Sequence, residues 1–503
     1  MTQAVLSAEA GKSLEKPATW TSWPVLVGLL GALTLLRLIV LFASPSELGF
    51  DEAQYWAWSR EFAFGYFTKP PLIAWIIGIE TRLCGSGAAC VRAASPLFHF
   101  GTALVLAALA RRLYGPRTGF WTGIFYGIMP AVALSSFLMT TDVFLLFFWS
   151  LALYTLIAHV ERPSLAAAIG FGLATGIGLY AKYAMIYLPL MAIIAAFALP
   201  ELRRALLRRE AALALLIILA VIAPNLWWNA TNGFATFEHT GDNIGWSLSR
   251  INPVRGFEFL GAQFGVAGPI LFGAMIAALF RRAETERPEI DRLLLWLSWP
   301  VLLAITLQGF LSRANANWGA TAYPAGIILA TALIVGYRRQ APLVANLAIC
   351  GVVSIAIMLG AALIDPKTAE GPLKQLRQLG GWSETASGLS ALARERNANT
   401  IVIRGRALTA GMIHALRDAP LTVLAYRPSG TSPADQFQLQ TPWSESDATE
   451  GVLLFGFNDE TAARLGATPV ATIDAPIYSA RSGTMTVYGF DEPPPPSGAN
   501  GAP

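Results

Sequence analysis

Charged side chains are scarce in this sequence. Asp, Glu, Lys and Arg make up 14% of the 503 residues and hydrophobic residues 54%, against the roughly 25% charged residues of soluble globular domains. A water-soluble core could not hide that much apolar surface, which excludes an ordinary soluble chain. Cysteine is scarce as well: Cys84, Cys90 and Cys350 have no CxxC spacing, which removes a metal knuckle and a disulfide framework. A Cys84–Cys90 bridge inside one loop stays open. No second His stands at metal-ligand spacing, so no zinc site is indicated. The net charge of +4 comes from short Arg clusters between apolar segments, not from one basic face, and nucleic acid is not indicated as a partner.

What is abundant is apolar length. Runs such as Val25 to Leu36 and Leu213 to Ile222 concentrate the excess in membrane-sized blocks. Apolar windows fall near 24–43, 92–110, 118–138, 143–159, 164–180, 183–199, 211–228, 257–280, 293–311, 320–337 and 343–363. They predict an all-α polytopic membrane domain over 24–364 with about 11 transmembrane helices. The first window exceeds the ~7–15 residue core of a cleaved signal peptide, so it reads as a retained helix behind a cytoplasmic tail, 1–23. Arg111, Arg112 and Arg117, then Arg162, then Arg203, Arg204, Arg208 and Arg209, then Arg281, Arg282, Arg287 and Arg292, then Arg338 and Arg339 fall on alternate connections. Those connections are expected in the cytoplasm and the others, roughly 44–91, 139–142, 181–182, 229–256 and 312–319, outside it. From Asp365 the pattern changes to short strands, TIVIRG (400–405), LTVLAY (421–426) and GVLLFGF (451–457), with helical stretches between. A small soluble α/β domain over 365–491 is expected on the outer side, followed by a disordered Pro/Gly-rich tail, 492–503.

The outer connections carry the residues with chemistry. Asp51 and Glu52 lie just beyond the first helix, where a lipid-linked substrate presents its headgroup. A carboxylate there can take a proton from an acceptor hydroxyl; the plain alternative is a solvated loop charge. Asp142 falls where two apolar helices meet with almost no loop. An ionisable group near the hydrocarbon costs ~2–3 kcal/mol or more and usually has a partner, although a helix cap is the simpler role. Lys69 in FTKPP and Lys182 in YAKYAM lie on the same expected side. Each can snorkel to the phosphate layer, or stabilise the charge building on a phosphodiester leaving group. Tyr55, Trp56, Trp58, Tyr66 and Trp75 suit short interfacial helices. His239, Asp242, Arg250, Arg255, Asn315, Asn317 and Trp318 complete the outer set, each a weak signal alone.

The ordered series FDEAQYWAW, YFTKPPLIAW, MTTDVFLLFFW, GLYAKYAMIYLP, NLWWNATNGFATFEHTGDNIG and SRANANWGATAYP resembles the membrane glycosyltransferases of GT-C fold, over approximately residues 24–340. The resemblance is to relatives of the dolichyl-phosphate-mannose protein mannosyltransferases and of the bacterial transferase that adds aminoarabinose to lipid A. It implies transfer of a sugar from a polyprenyl-phosphate donor to an extracytoplasmic acceptor, at a bacterial inner membrane. It implies Asp51 as catalytic base or acceptor-positioning acid with Glu52 beside it, and Asp142 as the second acid. Lys69 and Lys182 would meet the donor phosphate together with Tyr66 and Arg313, while His239, Asn317 and Trp318 would line the substrate cavity. No cofactor is required; a divalent cation could bind if Asp51 and Asp142 approach each other.

The sequence departs from the aminoarabinose enzymes in its DEAQYW continuation and smaller helix count, and its carboxyl-terminal segment is no β-trefoil sugar-binding module. A lipid or glycan acceptor is therefore expected ahead of a protein. The implied mechanism is a single inverting displacement without the second carboxyl group that a glycosidase needs. The alternative from another class, a multi-pass transporter or lipid-linked sugar flippase, would set its ionisable groups at mid-membrane on broken, pseudo-symmetric helices.

Overall fold

Proline and glycine decide where the apolar windows break. The computed structural model describes residues 21–234, 236–237, 241, 251–280, 288–447, 450–477 and 483–490; most of the 1–23 tail and all of 492–503 lie outside them. Among the described residues seven helices are long and apolar enough to cross a membrane: Trp23–Ala43, Ala88–Tyr114, Thr141–Glu161, Arg209–Thr231, Pro288–Leu311, Ala316–Gly336 and Ala341–Leu363. An eighth is reached if Pro253–Ala267 and Pro269–Phe280 form one span bent by 119°. The bend sits where Gly268 takes φ +91° and Pro269 has no amide to continue the helix.

Against the expected count of about 11, seven or eight described helices reach membrane-spanning length, and the shorter apolar helices Leu165–Ala181 and Tyr183–Ala198 stand beside them. Pro116–Ile128 and Pro130–Ser135 are separated at Met129, ahead of a proline. Leu165–Ala181 has 17 residues, about 26 Å of helix against ~30 Å of hydrocarbon. A window average registers apolar composition but not such interruptions. The outermost helices turn Leu35, Ile39, Phe42, Val352, Ile355 and Leu359 outward. Contiguous apolar faces of that kind would drive association in water and need no cover in lipid, as befits a membrane protein.

The connections gather at two ends. At one, Arg112 donates to Glu161, Tyr114 to Asp291 and Arg117 to Gln340. At the other, Asn225 donates to the carbonyl of Phe64 and Lys182 to Asp142, while Glu52 accepts from the amide of Met139. The long connection after the first helix is ordered there as short helices, Phe50–Trp58, Leu72–Cys84 and Ala88–Arg92. Cys84 and Cys90 are bridged, stapling the turn between the last two.

The carboxyl-terminal region is a six-stranded sheet of order β3-β2-β1-β4-β6-β5. Its strands are β1 (Thr400–Ile403), β2 (Thr422–Tyr426), β3 (Pro442–Trp443), β4 (Val452–Phe455), β5 (Thr468–Asp474) and β6 (Thr484–Gly489). β1 pairs in parallel with β2 and β4, whereas β5 and β6 form an antiparallel hairpin. β4 is buried along its whole length, as expected of a central strand covered on both faces. Leu389, Met412 and Phe455 pack on one face, and Val402, Leu454 and Ala462 on the other.

This domain is docked on the first long connection. Glu47 accepts from the amides of Trp382 at 2.7 Å and Ser383 at 2.9 Å, Gln436 accepts from the amide of Phe67, and Gln440 donates to Glu61. His414 Nε2 faces the carbonyl of Ser86 at 2.8 Å, so that nitrogen carries the hydrogen, and the ring packs edge-on against Trp56.

Burial in this interface pushes the His414 imidazole down from 6.5 to about 4. Between those values a released imidazole takes up a proton that the docked one refuses, so docking weakens as pH falls through the window and is unaffected above it. Hydrogen exchange over 406–415 should accordingly speed up from pH 7 to pH 5 beyond the intrinsic rate change. His414→Gln should lose that extra dependence; the same dependence in both proteins would contradict the assignment.

Candidate active site

The helix Phe50–Trp58 begins at Gly49, whose amide donates to the Glu52 side chain at 2.8 Å, so the acid closes its own helix start. Successive helical residues turn by about 100°, and the two neighbouring acids consequently face different surroundings. Glu52 points inward: it is buried and meets Arg92 through both oxygens, at 2.7 Å from Nε and 2.6 Å from Nη2, and it also accepts from the amide of Met139 at 2.7 Å. With four donors on two oxygens it has no lone pair left for a substrate proton. Asp51 points to open space, its side chain 53% exposed.

Asp142 lies in the first turn of Thr141–Glu161, where the simplest role for an acid would be a helix cap. Its oxygens are instead taken by Lys182 Nζ at 2.8 Å and Asn317 Nδ2 at 2.7 Å. Lys182 reaches it from the end of Leu165–Ala181, and Asn317 from the 3₁₀ turn Ala316–Ala322. Three distant stretches are thereby tied at one carboxylate.

Lys69 lies on the loop before Leu72–Cys84. Burial first, and then the like charge of Lys182, lower its pKa from the ordinary lysine value; Asp51 and Asp142 oppose the shift. Among the described residues its ammonium has no hydrogen-bond or ion-pair partner, although both acids, Lys182 and Arg406 lie within electrostatic reach. Tyr55, on the same helix face as Asp51, is buried, and that burial together with the charge of Asp51 raises its phenol pKa well above 10.

Arg406 has no counterpart in the sequence reading of the site. It begins the helix Arg406–Ala415 just after β1, turned by Gly405 at φ +101°. Its Nη1 donates to Asp51 Oδ1 at 2.9 Å and to Gln54 Oε1 at 2.7 Å. The available signal was a strand followed by Gly-Arg, since open α/β sheets bind ligands at the carboxyl ends of their strands.

The structure therefore brings together Asp51, Asp142, Lys69, Lys182 and Asn317, with Arg406 added. Tyr66 is elsewhere employed: it is buried, stacks on Trp58 and turns its hydroxyl to the carbonyls of Trp58 at 3.0 Å and Glu61 at 2.6 Å. Arg313 is exposed on the loop after Trp299–Leu311, and Trp318 packs against the core. His239, with Asp242 and Arg250, lies outside the described residues. Among those residues no group of three or more His, Cys, Asp or Glu converges to hold a metal. A cleft of about 610 Å³ lies on another side of the Phe50–Trp58 helix, lined by Trp56, Arg60, Arg417 and Gln440 among others.

Two acids, two lysines and an arginine thus gather at one end of a helical membrane bundle. Residues 68–228 match the family described as dolichyl-phosphate-mannose-protein mannosyltransferase. A lipid A galacturonosyltransferase of Rhizobium johnstonii is 38% identical over 398 residues, 79% of this chain and 84% of that one. A lipopolysaccharide core galacturonosyltransferase of the same organism is 28% identical over 40% of each chain. The fold is shared with ArnT from Cupriavidus metallidurans, solved with undecaprenyl phosphate bound, at TM-score 0.64 and 17% identity over 93% of this chain and 98% of that one. The chain belongs to the GT-C membrane glycosyltransferases. Its relatives are transferases, and the transporter alternative is not favoured.

Breaking a buried charge pair from one side costs about 3–5 kcal/mol. Glu52→Gln should therefore lower the thermal midpoint of the detergent-solubilised protein sharply, whereas Asp51→Asn, at an exposed position, should move it little. Equal midpoints for the two variants would contradict the division of labour between these neighbours.

Proposed function

We propose that this chain moves a uronic acid residue of the galacturonate type from a polyprenyl-phosphate donor to lipid A or a related lipopolysaccharide acceptor. The named activities of its relatives support the sugar and the acceptor, and the undecaprenyl phosphate bound to its structural neighbour supports the donor. The observation that carries the reading is the convergence of the exposed Asp51 with Lys69 and the Lys182–Asp142 pair at one end of the bundle. Loops rich in Arg lie at the opposite end, which favours a site facing the periplasm from the inner membrane. The Cys84–Cys90 bridge beside the site agrees with an oxidising compartment.

In this reading an acceptor hydroxyl attacks the anomeric carbon and its proton passes to Asp51. The bond from that carbon to the phosphate oxygen breaks, its electron pair leaves with the polyprenyl phosphate, and the configuration inverts. Lys69, without an ion-pair partner among the described residues, meets the charge that develops on the leaving phosphate. Asp142 holds Lys182 in place, and Asn317 holds Asp142. The ammonium groups supply the charge that the leaving group needs, so no cofactor is required. Confining donor and acceptor to one membrane face provides much of the remaining advantage.

With purified protein, a lipid-linked donor and a lipid A acceptor, Asp51→Asn should lower turnover by about 10²-fold or more and leave donor binding nearly intact. Full turnover by that variant would remove Asp51 from the base role. Lys69→Ala and Lys182→Ala should each weaken donor binding by about tenfold, the effect of losing one charge-assisted contact of ~1.4 kcal/mol. Unchanged donor affinity in both would reduce the lysines to helix anchors.

A further inference from the structure

We propose that Arg406 binds the carboxylate of the donor sugar and so selects a uronosyl over a neutral hexosyl donor. The inference rests on the transfer reading above and concerns a residue from the carboxyl-terminal domain. Three observations carry it.

The first is the use that Arg406 makes of its donors. Both of its hydrogen bonds, to Asp51 and to Gln54, leave from Nη1. Among the described residues, Nε and Nη2 make none. A guanidinium presents Nε and Nη2 as a planar fork that matches the two oxygens of a carboxylate, and here that fork is unfilled. Arg406 is also 35% exposed along its side chain, so the fork can be reached.

The second is its placement. β1 and β4 are neighbours in the sheet, and the connection leaving the carboxyl end of β1 runs to β2 on one side while the connection leaving β4 runs to β5 on the other. Such a switch point is where open α/β sheets bind ligands. Here the sheet turns that point toward the membrane site and holds Arg406 against Asp51.

The third is charge. The cluster holds three cations, Lys69, Lys182 and Arg406, and two anions, Asp51 and Asp142, while the buried Asp435, tied to the amides of Phe437 and Gln438, lies within electrostatic reach of Arg406. Lys182 shares its charge between Asp142 and the donor, and Lys69 faces the single negative charge of a phosphodiester. A neutral sugar would leave Arg406 paired with the acid that must accept the proton. A uronate gives Arg406 a second anion, and the hold on Asp51 slackens when such a donor is seated. The sugar's charge thus both selects the donor and frees the base.

The test compares two donors on the same polyprenyl phosphate, galacturonate and galactose, which differ only in a carboxylate against a hydroxymethyl group, with one lipid A acceptor and the full-length protein. The readout is the ratio of the two kcat/KM values, in which the folded fraction of any variant cancels. The unsubstituted chain should prefer the uronosyl donor; R406Q should reduce that ratio at least tenfold and R406K should restore part of it. An unchanged ratio in R406Q, with both donors slowed alike, would make Arg406 a holder of Asp51 and overturn the proposal. Equal use of the two donors by the unsubstituted chain would overturn it too, as would an R406Q deficit that follows the phosphate content of the acceptor and not the sugar. Turnover of neither donor by the unsubstituted chain would be a different result, removing the transfer reading and this inference with it.

Discussion

Glu52 accepts hydrogen bonds from Arg92, from the amide of Gly49 and from the amide of Met139, and these reach it from three separate segments. The next residue before it is Asp51, and Met139 stands three residues before Asp142. One saturated carboxylate therefore sets the positions of both acids that face the site. The arrangement is costly to lose, because removing either member leaves a charge without compensation in a poorly solvated place. In the proposed reading, function rests on a neighbour whose own oxygens are fully occupied.

Around that anchor the charges are distributed unevenly. Asp142 is fully engaged, by Lys182 and by Asn317. Among the described residues Asp51 is engaged by one arginine, from another domain. Lys69 has its charge opposed by burial and by Lys182. The site is thus rigid where it must hold shape and loosely paired where a substrate must enter. In the proposed reaction a phosphate leaving group departs as a weak base, so a single carboxylate would serve where a glycosidase employs two.

Much of this was legible in the residues. Asp142 and Lys182 stand out because charge beside hydrocarbon is expensive, and they proved to be each other's partner. The strands of the carboxyl-terminal sheet were visible in their short apolar runs flanked by turn residues. Span number was less legible: Pro130 and the Gly268–Pro269 step interrupt helices that composition alone would join. Adjacency misled at Asp51 and Glu52, because a helix sends neighbours in different directions and sequence does not say which way is inward. Tyr66 looked available as well, yet its hydroxyl closes the loop on itself. Arg406 could not be found locally, since its role comes from the docking of one domain on another.

That docking sets an order of events. Arg406 and Asp51 are separated by 355 positions, so the ribosome finishes the arginine long after the helix bearing the acid has been inserted. A nascent or prematurely terminated chain has the bundle and the acid but not the strand-end arginine that meets it. The constellation closes only when the carboxyl-terminal sheet, made after the bundle, folds back onto the segment behind the bundle's first helix.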